Sequence, residues 1–545
     1  MAEAKQSKWG MARVIAASSA GTAFEWYDFF IFGALAQVIS RTFFTGLDPT
    51  SSLIAALGLF AAGFAFRPLG ALLFGSIGDR MGRKGAFLIT VSLMGGATFL
   101  IGVLPTYEQA GWIAPALLIF LRICQGTALG GEYGGAAIYV AEHAPDKERG
   151  FATGWIQSSA AVGLIAALAV ILATRTLLGE EAFAEWGWRI PFLFSSILLG
   201  VSIWLRSKLS ESPAFEALRD EGNLTKAPLR EAFGEAESLK RVAIAFFAVM
   251  CAQGAVWYST FFYMQVFLEK MLGLPGASVN LVIMVMTLVS APLYVMFGWL
   301  SDHWGRKPVM LAGMLVALVA YFPGYNAIAR AANPALIQAQ SATPVTVATD
   351  SATCTVQFDP AGTRNFASPC DIAKSLLAGQ GISYSNATSA DGATSIAVGP
   401  TMLAIPDGRS LDAAGLKALK AETGVKLKAA LTAAGYPARA ELGQVDWFTL
   451  MAWLLLFTTA ACALYGPMVA ALVEMFPTRI RYTAMSLPYH VGTGWVGGFL
   501  PVTSFAIVAI TGDLYAGLWY AIVFTAISVV ATIFFLKETS GQPLT

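Results

Sequence analysis

Along the chain, long apolar stretches alternate with short polar segments rich in Arg, Lys, Gly and Asp. A membrane helix needs about 20 mostly apolar residues. On that criterion twelve spans are expected, centred roughly near residues 27, 65, 96, 128, 163, 198, 254, 288, 318, 458, 495 and 525. Several exceed the minimum, which implies tilt or extension past the bilayer. An even number of spans puts both termini on one side, and the basic residues choose it. The connections "DRMGRK", "DKERG", 206–241, "GRK" (305–307) and "TRIR" (478–481), with the termini, hold about 20 of the 35 Lys and Arg residues, against about 4 in the short loops opposite. Both termini are expected in the cytoplasm of a multi-pass inner-membrane protein.

Composition agrees with the pattern. Hydrophobic residues make up 56% of the chain and charged residues 13%, where soluble domains average about 25% charged. Mean hydropathy is +0.62. The formal net charge of +1 offers no basic excess for nucleic acid. The apolar stretch after the N-terminal "MAEAKQSKWGMARV" is long and holds acids, so it reads as a first span and not as a cleaved signal.

The chain repeats itself. "GSIGDRMGRK" (75–84) and "GWLSDHWGRK" (298–307) share Gly, Asp, Gly, Arg and Lys at matching places, roughly 223 residues apart. "AEHAPDKERG" (141–150) and "VEMFPTRIRY" (473–482) match at Glu142/Glu474, Pro145/Pro477 and Arg149/Arg481, roughly 332 apart. The difference leaves about 109 extra residues between the ninth and tenth spans. Composition places them at about 331–445, where the chain turns polar. By the topology above, this insert is extracytoplasmic, and a compact domain is expected, with helical spacing over 410–442. Its two cysteines, Cys354 and Cys370, are expected to form a disulfide in an oxidising compartment. The expected organisation is a six-helix bundle (1–207), a cytoplasmic linker (208–240), spans seven to nine (241–330), the insert (331–445) and spans ten to twelve (446–545).

Two six-span halves suit a secondary transporter, whose halves rock about a midplane site. Gly75, Asp79, Arg80, Gly82, Arg83 and Lys84 match the signature G-x-x-x-D-R-x-G-R-K/R of the major facilitator superfamily. A weaker copy follows the eighth span, with His303 where Arg is usual. More narrowly, "GTAFEWYDFFIFG", "FAFRPLGALLFGSIGDRMGRK" and "LRICQGTALGGEYGGAAIYVAEHAPDKERG" resemble the metabolite:proton symporter family, with its permeases for shikimate, α-ketoglutarate, citrate and proline/betaine. The resemblance implies an all-α polytopic membrane protein of the major facilitator fold, with the insert as an addition.

Ionisable groups at bilayer depth are costly and default to function. Glu25 and Asp28 sit three residues apart and share a helix face. That face is expected to look into an aqueous cavity towards Arg67 and Arg122. A carboxylate that exchanges an Arg partner for a proton is a coupling device. Asp28 is the first choice for it, Glu25 the second, and Glu132, at a tight helix contact, is a third. The alternative is structural: each acid pairs with Arg67 or Arg122 and fastens helices. Either arginine offers a bidentate fork to an anionic substrate. Arg122 is read as opening the fourth span, with Gln125 on its face. His490 stands where the family usually has Asn; it is either packed by Tyr489 or a neutral imidazole touching substrate. Gln253, Tyr258, Tyr263 and Tyr465 are further candidates for substrate contact.

At the cytoplasmic helix ends, Asp79, Arg80, Arg83, Lys84, Glu142 and Arg149, with Asp302, Arg306, Glu474 and Arg481, are expected to latch the outward-facing state. Near water, each pair is expected to be weak and breakable. The chain lacks G-x-x-x-x-G-K-[ST] and has no metal-ligand spacing, so neither an enzyme nor a cofactor is indicated. The expected function is proton-coupled import of a small polar metabolite, a mono- or dicarboxylate, by a monomer in the bilayer. The alternatives are a zwitterion symporter of the proline/betaine kind, an uncoupled facilitator, and a transporter-like receptor that uses the insert.

Overall fold

The computed structural model describes residues 8–44, 63, 65–208, 210–350, 354–356, 366–389 and 392–544. The first half comprises α1 (Lys8–Ala34), α2 (Arg67–Met81), α3 (Arg83–Val103), α4 (Ile113–His143), α5 (Arg149–Leu178) and α6 (Arg189–Ser207). The second half begins with α7 (Ala236–Met271), α8 (Gly276–Trp304) and α9 (Arg306–Ala332). Two shorter helices, α10 (Pro369–Gly379) and α11 (Ala413–Ala433), precede α12 (Trp447–Met475), α13 (Arg481–Thr511) and α14 (Leu518–Phe534).

Among the described residues nine helices, α3 to α9 with α12 and α13, are long and apolar enough to cross a membrane, and α14 is a shorter apolar one. The start of the span expected near residue 65 lies outside the described residues. Large apolar side chains such as Trp204, Val319 and Phe534 point outward and exposed, the surface that a bilayer solvates.

The sequence repeat has a backbone counterpart. Gly82 (φ 110°) ends α2 and Gly305 (φ 100°) ends α8, each turning directly into the next helix. Only glycine adopts that region without strain. Small residues also set how closely the halves meet. Gly150 of α5 lies against the backbone of Gly298 in α8, and Gly75 of α2 against that of Thr483 in α13.

The all-α expectation needs correction between α9 and α12. There β1 (Val345–Thr349), β2 (Tyr384–Thr388), β3 (Ser395–Val398) and β4 (Thr401–Ala404) form a sheet in the order β2-β1-β3-β4. β1 runs parallel to β2, and the β1–β3 and β3–β4 pairs are antiparallel. The period-two alternation of "VTVAT" and "SIAV" buries one face of each strand. Cys354 and Cys370 are joined in a disulfide that ties the segment to α10.

This unit is fastened to the second half. Lys374 Nζ donates to the Ile510 carbonyl (3.1 Å), the Tyr384 amide to the Gly512 carbonyl (2.8 Å) and Asn386 to the Thr511 carbonyl (2.9 Å). These are the carbonyls that the C-terminal turn of α13 leaves unpaired. The Ala440 amide donates to the Gly273 carbonyl (3.1 Å), just past α7.

A Cβ at Gly82 or Gly305 would also collide with the Glu211 or Glu538 carboxylate. Gly82→Ala and Gly305→Ala are each expected to cost about 1–3 kcal/mol, read as a lower melting temperature of the solubilised protein. Gly85→Ala, whose Cβ meets open space, is expected to cost nothing.

Candidate functional site

Three helices bring ionisable groups together inside the first half. Arg206, in the last turn of α6, reaches Glu25 of α1 with Nη2 (2.8 Å to Oε1) and Glu132 of α4 with Nη1. Its guanidinium lies over the Phe87 ring of α3, 3.7 Å from the centroid, a placement that favours a cation. All three charged side chains are buried. Glu25 therefore pairs with Arg206, and the expectation that its face looks towards Arg67 and Arg122 is corrected. Arg206 was missed because a cation at the end of a span reads as flanking charge. The signal that pointed to it was two acids, Glu25 and Glu132, in search of a counter-ion. Asp28 stands one turn on, beside Thr98, and its Oδ1 has no hydrogen-bond partner.

Arg122 does not open its helix. It lies deep in α4, which begins at Ile113 because apolar residues continue towards the N-terminus. The guanidinium sits 3.9 Å from the Phe32 centroid and donates to Gln125 Oε1 (2.8 Å), whose amide in turn donates to Thr98 Oγ1 (2.7 Å). Gln125 thus shares its face, as helical spacing requires.

Arg67 lies between the halves. Its guanidinium is 5.2 Å from the Phe29 centroid and within electrostatic reach of the hydroxyls of Tyr258, Tyr465 and Tyr489 in the second half. Tyr489 stacks on Tyr133 of α4 at 4.2 Å and its hydroxyl meets that of Tyr465 at 3.2 Å. Tyr133 donates to Gln157 of α5 (2.8 Å). His490 packs edge-on against Tyr489 at 4.9 Å, close to Arg67 and to the backbone of Gly130. Gln253 is buried in α7 with Oε1 unbonded.

Tyr263 does not join this group. π turns interrupt α7 at Ser259–Tyr263 and Phe267–Met271, and the Tyr263 ring faces Tyr325 and Met271 instead. Tyr133 and Tyr489 were not singled out as substrate residues, since aromatics within spans read as packing, and neither was the amide of Gln157.

At the opposite end of these helices from the insert, the halves exchange charges. Asp79 of α2 accepts the first amides of α13, from Tyr482 (3.2 Å) and Thr483 (2.8 Å). Asp302 of α8 accepts the first amides of α5, from Gly150 (2.8 Å) and Phe151 (2.7 Å). Each aspartate also holds the arginine four residues on, Arg83 (2.8 Å) or Arg306 (2.6 Å). Glu142 takes Arg481 from the second half (2.7 Å), and Glu474 takes Arg149 from the first (2.8 Å). The carboxylate at each helix N-terminus is favoured by the helix dipole.

The expectation of weak, watered pairs is corrected. These side chains are 2% exposed or less, because the halves close over them. Arg80 and Lys84 stay outside: Arg80 is exposed, and Lys84 Nζ donates to the Ser207 carbonyl (2.9 Å). Two acids that were missed complete the symmetry. Glu211 accepts the Arg83 and Lys84 amides, and Glu538 accepts those of Arg306 and Lys307.

Comparison with known proteins gives the architecture a family. The pattern of the Major Facilitator Superfamily matches residues 18–328, and that of "Sugar (and other) transporter" matches residues 428–545. The chain is 35% identical to the proline/betaine transporter of Salmonella typhimurium over 327 residues, 58% of this chain and 64% of that protein, so the match spans less than two thirds of that relative's length. It is 36% identical to the shikimate transporter of Escherichia coli over 324 residues, 58% of this chain and 72% of the other. The structure of the proton:xylose symporter XylE bound to 6-bromo-6-deoxy-D-glucose superposes with a TM-score of 0.62 at 14% identity, covering 98% of this chain and 97% of that one. That likeness shares the fold alone. With the reciprocal charge exchange at Glu142/Arg481 and Glu474/Arg149 in place, the chain belongs to the major facilitator superfamily, within its metabolite:proton symporter family.

Proposed function

We propose that this chain is a proton-coupled symporter that imports a small organic carboxylate by alternating access. The observation that carries the reading is the reciprocal latch: each half caps a helix of the other with a buried aspartate and receives an arginine on a buried glutamate. Two rigid bodies joined in this way at one end have a second arrangement in which that end opens. The basic loops put the latch at the cytoplasmic face, so the structure corresponds to the state closed to the cytoplasm. Twelve spans, with the insert outside, complete this topology. Arg67 is the proposed carboxylate anchor, helped by Arg122 and Gln125, with Tyr258, Tyr465, Gln253 and His490 around the solute. Asp28, Glu25 and Glu132 are the acids available to the proton.

A second reading is favoured by the rings about Arg67. A guanidinium beside Tyr133, Tyr258, Tyr465 and Tyr489 suits a zwitterion, with its carboxylate on the arginine and its ammonium on the aromatic faces. The proline/betaine relative supports this, as the shikimate relative supports a plain carboxylate.

The deciding test is uptake into proteoliposomes with and without an inward proton gradient, using shikimate, citrate, glycine betaine and an uncharged sugar. One carboxylate or zwitterion is expected to accumulate only with the gradient; mere equilibration would overturn the reading. Arg67→Lys is expected to reduce that uptake at least about tenfold, because an ammonium cannot present the bidentate fork. The latch has its own test. Glu474→Gln leaves Arg149 and Arg306 short of a carboxylate, a loss of about 3–5 kcal/mol for a buried pair. It is expected to open the cytoplasmic end, read as faster thiol labelling of a cysteine introduced at Ser301.

A further inference from the structure

The Glu25–Arg206–Glu132 cluster holds one more negative charge than positive charge when both acids are ionised, and all three residues are buried. Glu132 is fully buried, and its Oε2 has no hydrogen-bond partner. The two carboxyl groups are held side by side on one guanidinium, Glu25 at Nη2 and Glu132 at Nη1. Two carboxylates so close repel when both are charged, and one proton between them converts the repulsion into a hydrogen bond. The neighbouring elements supply few rival charges. α3 contributes the uncharged Phe87 and Thr90, α1 adds Asp28 near Glu132, and α13 adds Tyr482. Asp79 and Arg83 lie further along, already engaged with each other.

Tyr482 belongs to the other half of the molecule. Its ring fills a slot carved by the absent side chains of Gly78, Gly134 and Gly135, and its hydroxyl donates to the Gly131 carbonyl (2.5 Å), one residue from Glu132. Its backbone amide is one of those held by Asp79 in the latch. Tyr482 thus joins the acid pair to the latch, its hydroxyl beside Glu132 and its amide on Asp79.

We infer that Glu25 and Glu132, bridged by Arg206, bind a single transported proton between them, and that Tyr482 is the plug that closes this site from the cytoplasm until the latch opens. The proton enters while the latch is closed, takes the cluster from a net charge of −1 to 0, and leaves once Tyr482 has withdrawn. This deepens the symporter reading and rests on it for its purpose. It also assigns the proton to the acid pair in preference to Asp28.

The first experiment needs no substrate. The full-length protein, reconstituted in lipid, is titrated with pH and followed by infrared difference spectroscopy of the carboxylic-acid C=O stretch. The wild type is expected to show a titrating buried band. Glu132→Gln and Glu25→Gln each leave one carboxylate for one guanidinium, a pair that stays ionised, so each is expected to lose the band. Asp28→Asn is expected to keep it. A band that persists in both glutamine variants, or one that vanishes in Asp28→Asn alone, overturns the assignment. A companion assay separates this from the function itself. In proteoliposomes, Glu132→Gln is expected to keep counterflow of the solute that the wild type accumulates from the panel above while losing accumulation against its gradient. Tyr482→Phe, which keeps the ring and removes the hydroxyl bond, is expected to leak protons without solute, read with a lumenal pH dye. Proton tightness equal to wild type in Tyr482→Phe and Tyr482→Ala alike overturns the plug. If no solute in the panel moves in the wild type, the symporter reading fails, while the infrared band still decides whether the acid pair holds a proton.

Discussion

A charge buried in a low-dielectric interior must find an opposite charge or a set of hydrogen bonds. In this molecule that constraint welds the halves together. Arg481 is buried and finds its carboxylate on the opposite half, and Arg149, also buried, adds Glu474 of the opposite half to Asp146 of its own. Asp79 and Asp302 reach across in the same way to helix N-termini that would otherwise leave amides unpaired. The closed end is thus held by charged groups that draw partners from both halves.

The same constraint would make the closure reversible under the proposed mechanism. Attraction between buried ions is offset by the cost of stripping their water, so the net gain is far smaller than the bare Coulomb energy. When the halves part, water returns to each ion and repays much of the loss. An apolar seam of equal area would carry no such compensation. The slots left by Gly75, Gly78 and Gly150 let the helices close tightly enough to exclude that water in the first place.

The insert works on one body only in the contacts described. It pairs with the end of α13 and with the turn after α7, both in the second half. In the proposed rocking motion such a unit would ride with its half, and its hydrogen bonds occupy helix-end carbonyls that are otherwise unpaired. The sheet that builds it is small, and the Cys354–Cys370 bond adds the cross-link that such a unit gains most from.

Much of this was legible in the chain. Apolar length set the helices, because a bilayer admits few alternatives to them. The repeated Gly, Asp, Gly, Arg and Lys of the two signatures and the Glu142/Glu474 and Arg149/Arg481 matches pointed to the latch, since a repeat carries its local geometry with it. The offset between the two repeats called for extra residues after the ninth expected span, and a four-stranded sheet stands between α9 and α12. The sequence did not say which charge meets which. Glu25 took Arg206 in place of Arg67 or Arg122, and Tyr263 turned away from the arginine site across a π turn. Helical spacing puts residues on a face, but crossing angles and π turns decide what that face meets. Pairing between helices more than a hundred residues apart is a property of the packed bundle, and it was decided only in the tertiary structure.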